Sequence, residues 1–243
     1  MTVTWEEFGW ERVAGGVGRC RLPGWDCTTG LVVGDGTALV IDSGSSLAEG
    51  ARLRTEASAL AGHPVTHLAL THPHFDHVLG TAAFEGAEVY GAVGIETVLG
   101  TRHAREELRA DAVSQGLDAH AADEATAALV PPPHHVSGEW TLDLGGGRQV
   151  LLANVGPGHT AHDLAVLVPG SPEVVFCGDL VEESGEPQAG PDAVPSHWPA
   201  ALDRLLDLGG EDALYVPGHG AVVNAAFVRA QRDTLATRFG VSR

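Results

Sequence analysis

The string Thr71-His72-Pro73-His74-Phe75-Asp76-His77 constrains this chain more than any other segment. It follows the apolar stretch 65–70, which reads as a buried strand, and it sets four metal-competent side chains within six residues. In an extended segment His72 and His74, two apart, point to one side. Asp76 and His77 come where the chain turns toward a short helix at 78–84, so they approach from another direction. Pro73 holds His72 extended. Such a string can present two neighbouring metal positions rather than one.

Three more candidates sit in similar settings. His159 lies in 156–160 (GPGHT), after the strand 149–154. Asp179 lies in 177–180 (CGDL), after the apolar run 174–177, and His219 lies in 217–220 (PGHG), after 214–216. Each ends a hydrophobic strand beside glycine, which lets the backbone turn sharply. Together with the first string they make five histidines and two aspartates. Buried unpaired carboxylates are costly, and a metal supplies the missing positive charge. Imidazole and carboxylate donors without thiolate suit zinc, and also iron or manganese. Seven ligands exceed one tetrahedral ion, and two ions sharing one carboxylate fit the number better.

Around these points the chain reads as strands with helices outside. A strand at 13–22 comes first. Strands 28–33 and 38–41 flank Gly34-Asp35-Gly36, a hairpin signal. A helix spans 46–61 and stops at Gly62. An Ala-, Glu- and Arg-rich insert at 94–133 reads as helical, with Leu108, Ala112 and Val113 on one face, and Pro131-Pro132-Pro133 closes it. Strands follow at 140–144, 149–154, 164–168 and 174–177, then a helix at 198–208, a strand at 214–216 and a closing helix at 221–239. Two similar halves packed sheet on sheet, as a single domain over 1–243, satisfy this order.

Composition narrows the partners. Thirty-two acids oppose fourteen bases, all arginine, for a formal charge of −18 over 243 residues. Such a chain repels a phosphate backbone and an anionic membrane surface, so neither nucleic acid nor membrane is expected. The sequence does not specify an oligomeric state. No run reaches the length of a membrane span, and residues 1–10 lack the features of a secretory signal. Cys20, Cys27 and Cys177 form no CxxC, and reduced thiols in a cytoplasmic protein are expected.

THPHFDH followed by GPGHT, CGD and GHG resembles the metallo-β-lactamase superfamily, from about residue 28 to about residue 220. The resemblance implies an α/β (α+β) chain folded as a four-layer αββα sandwich. It implies a first metal site of His72, His74 and His159, and a second of Asp76, His77 and His219. Asp179 would be the bridging carboxylate, and Asp42 matches a structural aspartate beneath the metal loop. Pro73 stands where the family commonly has a polar or aromatic residue. The implied cofactors are two divalent ions, Zn2+ first, with iron or manganese as alternatives. Between them a bridging water would be acidified from about 15.7 toward about 7. Asp76 is the catalytic candidate, orienting that hydroxide and shuttling a proton.

The branch is narrowed by departures. There is no lysine for a β-lactam carboxylate, and Asp179 stands where secreted lactamases more often carry Cys or Ser. The short stretch after His219 leaves no glutathione-binding domain to be expected, and Glu182 stands where lactonases usually have Tyr. The charge argues against RNA processing, and His74 argues against the diiron oxygen reductases. The expectation is a small hydrolase of esters, thioesters, lactones or related compounds. A mononuclear iron sulfur dioxygenase and a metal-bearing binding module are the alternatives.

Segment 94–133 is either a lid or substrate wall or an ordinary surface helix pair. His134 and His135 read as loop histidines, and His162 as a structural hydrogen-bonder. His63, His67, His103, His120 and His197 have no ligand context. Glu182, Glu183 and Glu186 either favour a cationic or neutral substrate or form a solvated loop. Trp198 reads as helix packing or a pocket wall.

Overall fold

Tight glycine turns and one long crossover set up the first sheet. In the computed structural model, which describes residues 4–241, strands β1 (Glu11–Ala14), β2 (Val17–Arg21), β3 (Thr28–Val33) and β4 (Ala38–Ile41) run antiparallel in sequence order. The hairpin between β3 and β4 closes with Val33 opposite Ala38 and Gly36 at φ 73°. Helix α1 (Leu47–Ala61) then carries the chain across the sheet. The Ser46 side chain accepts from the Glu49 N–H at its start, and Gly62 ends it in the left-handed region. A helical crossover makes the next strand parallel. Accordingly β5 (His67–Ala69), β6 (Glu88–Ala92) and β7 (His134–Val136) add in parallel to complete seven strands. The end of β5 delivers the chain into the histidine string, where helix α2 (Phe75–Val78) begins.

The second sheet has five strands in the order β12–β11–β10–β9–β8: β8 (Glu139–Asp143), β9 (Gln149–Ala153), β10 (Ala165–Val168), β11 (Val174–Glu182) and β12 (Leu214–His219). Helices α3 (Ile95–Leu99), α4 (Arg102–Ser114) and α5 (Ala119–Ala128) form the insert, and α6 (Trp198–Gly209) and α7 (Ala225–Phe239) close the chain. Three apolar clusters define the layers. One joins Leu31 and Leu68 to Leu53 of α1, Leu108 of α4 and Ala122 of α5. The second lies between the sheets, where Leu39 and Ile41 meet Leu152, Val166 and Phe176. The third packs Val175 and Tyr215 on Trp198, Leu202 and Val228. These are the four layers of an αββα sandwich.

Some boundaries differ from the sequence reading. The strand expected at 13–22 folds back at Gly15 and Gly16, whose φ of 70° makes a hairpin of it. The helix expected at 78–84 starts three residues earlier, at Phe75, and a separate 3-10 turn covers Thr81–Phe84. The insert is three helices, and Leu108 and Ala112 are buried in the outer layer rather than laid over a cleft. His134 and His135 lie on strand β7, opposite Tyr90 and Gly91, not in a loop. Strand β11 continues through Gly178 to Glu182, because β12 pairs with it in parallel over that stretch. The last helix starts at Ala225, capped by Asn224. Among the described residues, no helix is long and apolar enough to cross a membrane.

Candidate metal centre

The seven candidates come from strands of both sheets and from the segments that follow them, and meet at one edge of the sandwich. His72 and His74 leave β5, and Asp76 and His77 are on α2. His159 turns out of the β9–β10 connection, Asp179 is on β11, and His219 ends β12. The Asp179 carboxylate is the hub. Its Oδ1 is 3.1 Å from His77 Nε2, and its Oδ2 is 3.2 Å from His219 Nε2, 3.4 Å from His159 Nε2 and 3.6 Å from His72 Nε2. Asp76 Oδ2 is 3.4 Å from His219 Nε2 and 3.8 Å from His77 Nε2. Donor atoms of His72, His74, His159 and Asp179 lie within 4.8 Å of one another, as do those of His77, Asp179 and His219. Gly218 permits this closeness, since a Cβ there would fall 1.8 Å from Asp179 Oδ1.

The outer nitrogen of every one of the five histidines has a partner, and those partners set the tautomers. His77 Nδ1 donates to Asp42 Oδ2 at 2.8 Å. His159 Nδ1 donates to the Gln188 carbonyl at 3.1 Å, and His219 Nδ1 to the Trp25 carbonyl at 2.7 Å. His74 is turned the other way, with Nε2 donating to Asp192 Oδ2 at 3.0 Å. The Thr71 hydroxyl gives its proton to Asp42 Oδ2 at 2.7 Å, so it accepts from His72 Nδ1 at 2.9 Å. Each outer N–H leaves the inner nitrogen as the one that faces the cluster. Asp42 adds a bond from the Thr71 N–H at 2.7 Å and holds φ 61°, a strained conformation for a non-glycine.

This arrangement fits a cationic group. His72 Nε2 and Asp179 Oδ1 are buried without a hydrogen-bond partner. His74 Nδ1 and His159 Nε2, both left as acceptors by their outer bonds, face each other at 2.9 Å. Two lone pairs that close need a shared proton or a cation between them. The charges agree. His77, His72 and His219 together outweigh burial and hold the Asp179 carboxyl well below the usual carboxylate range. Burial lowers His72 well below the ordinary imidazole value and His159 to about 4, so both keep free lone pairs. Burial is overcome at the other three: Asp179 and Asp76 hold His77 well above the ordinary imidazole value, Asp192 raises His74, and Asp179 raises His219 to about 9, so a cation entering there displaces a proton.

Other candidates fall outside the donor set. Cys27 Sγ is 3.7 Å and 3.6 Å from the two ring nitrogens of His77, so it sits over the ring face rather than in line with Nε2. Burial pushes this thiol up out of the ionising range, and it donates to the Asp76 carbonyl at 3.3 Å. His162 Nδ1 donates to the Val93 carbonyl at 3.1 Å, and His135 Nε2 to the Pro132 carbonyl at 2.9 Å. His134 pairs with Glu88. Trp198 is fully buried under His159, their rings 5.4 Å apart, and is packing rather than wall. Glu183 accepts from the Ala221 N–H at 2.6 Å, and burial with Asp179 nearby raises Glu182 to about 7. The sequence reading missed Asp192, Gln188 and Trp25. Two act through backbone carbonyls, which carry no residue signal, and Asp192 sits in a Gly- and Pro-rich loop with no motif.

Residues 22–219 match the profile of the metallo-beta-lactamase superfamily. A Xenopus laevis protein described as metallo-beta-lactamase domain-containing protein 1 is 26% identical over 202 residues, covering 80% of this chain and 71% of its own. Among solved structures, a metallo-beta-lactamase from Pontibacter korlensis superposes with a TM-score of 0.71 at 21% identity, over 93% of this chain and 97% of that one. The metallo-beta-lactamase FIM-1 from Pseudomonas aeruginosa, in its mono-zinc form, gives 0.69 at 20% identity over 96% of each. At these identities the solved structures speak for the fold.

Proposed function

The chain belongs to the metallo-beta-lactamase superfamily, and on that premise we propose that it is a dinuclear metal-dependent hydrolase of small-molecule esters, thioesters, lactones or related compounds. One observation carries the reading: five outer N–H bonds turn five inner ring nitrogens toward two carboxylates at a single edge of the sandwich. His72 Nε2, His74 Nδ1 and His159 Nε2 would hold one ion, and Asp76, His77 Nε2 and His219 Nε2 the other, with Asp179 between them. Two divalent ions, zinc by the donor chemistry, would supply a water acidic enough to ionise near neutrality and Lewis-acid polarisation of the substrate oxygen.

The chain's own residues do the rest. Asp179 fixes the spacing of the two halves. Asp76, whose Oδ2 already faces His219, orients the attacking water and holds its proton. Asp42 and Thr71 lock His77 and His72 in place. Glu182, Glu183 and Glu186 follow Asp179, and with no lysine in the chain they favour a neutral or cationic substrate. Three free, buried cysteines support work in the cytoplasm.

The test is metal content of the purified protein together with a panel of lactones, thioesters, phosphodiesters and β-lactams. Two zinc per chain and turnover of an uncharged ester, thioester or lactone are expected. His72→Ala and Asp179→Ala should lower metal content and turnover together. Full turnover without metal overturns the reading, as does one iron with oxygen uptake.

A further inference from the structure

The histidine held least like the others is His74. Its four companions are oriented by groups that the fold itself buries or by backbone carbonyls: Asp42 and Thr71, each 2% exposed, and the carbonyls of Gln188 and Trp25. His74 is oriented by Asp192, whose side chain is 46% exposed, on the connection between β11 and α6. The same connection supplies Gln188 to His159, and its Val194 N–H donates to the Gly158 carbonyl at 2.9 Å, beside His159. One loop therefore grips both His74 and His159, whose inner nitrogens face each other at 2.9 Å. In ligand histidines the outer hydrogen bond decides which nitrogen is free, and its loss typically lowers metal affinity about 10- to 100-fold.

We propose that Asp192 is a positioning residue for the ion held by His72, His74 and His159. It takes the His74 Nε2–H and so leaves the Nδ1 lone pair for that ion, and its loop sets this position independently of the other. Without Asp192 the ring is free to flip and present either nitrogen. The inference rests on the metal-centre reading above and adds a residue to it that carries no ligand role.

The experiment is a cobalt(II) titration of the full chain, followed through the visible d–d bands and by calorimetry. Asp192→Ala should weaken one of the two binding steps about 10- to 100-fold and leave the other as in the parent. Asp192→Asn, whose side-chain carbonyl still accepts from His74 Nε2, should recover most of that loss. His219→Ala should weaken the opposite step, which identifies the two positions. Melting of the metal-free Asp192→Ala protein should match the parent, since the side chain is half exposed. The proposal is overturned if Asp192→Ala binds both equivalents as the parent does. Equal weakening of both steps, or a loss that Asp192→Asn does not restore, also overturns it. A parent that takes up no cobalt overturns the metal-centre reading itself, a different result from two unaltered steps.

Discussion

Asp179 and His219 show what converging charge does to single residues. The carboxylate stays ionised although buried, because imidazoles surround it, and His219 is raised to about 9 by that same carboxylate against the pull of burial. The sign follows directly. A pKa above the ordinary imidazole value means that metal-free His219 carries a proton throughout the neutral range, and a cation arriving at Nε2 must expel it. Zinc uptake in weak buffer at pH 7 should therefore release protons, and affinity should rise as pH climbs toward about 9. Calorimetry in two buffers of different ionisation enthalpy measures this. Uptake with no proton released would show that His219 is already neutral.

At the scale of elements, the decisive feature is how strand ends are brought side by side. Strands β11 and β12 run parallel, and Gly178, at φ 53°, and Gly218 let their ends approach until Asp179 and His219 touch. Gly218→Ala changes no donor, yet its methyl would overlap Asp179 Oδ1. It should lower zinc affinity about 10-fold or more, in the range of lost outer contacts, and a chelator competition assay reads that loss. Unchanged affinity would mean that the carboxylate has another place to go.

The elements also show what was legible in advance. The hairpin at Gly34-Asp35-Gly36 and the helix that stops at Gly62 were readable because a glycine turn and a glycine stop are local signals. Strands β6 and β7 were not: they are short, and their pairing, β6 on β5 and β7 on β6, is made across intervening helical segments. The seven candidates were visible as a sequence pattern, whereas Asp192 and the carbonyls of Gln188 and Trp25 became visible only once loops far apart in sequence had closed on the histidines.

The whole molecule is a scaffold that gathers imidazole nitrogens and carboxylate oxygens at one edge. Apolar clusters between and outside the sheets anchor the strands. They hold His74 and His159 with their acceptors opposed, and His72 Nε2 and Asp179 Oδ1 without partners. Buried acceptors left this way are costly for a fold, and two cations would relieve both at once. Anomalous diffraction at the zinc edge, from crystals grown with zinc, tests that claim most directly. Two peaks per chain flanking the Asp179 carboxylate are predicted; a single peak, or none among these side chains, would contradict it.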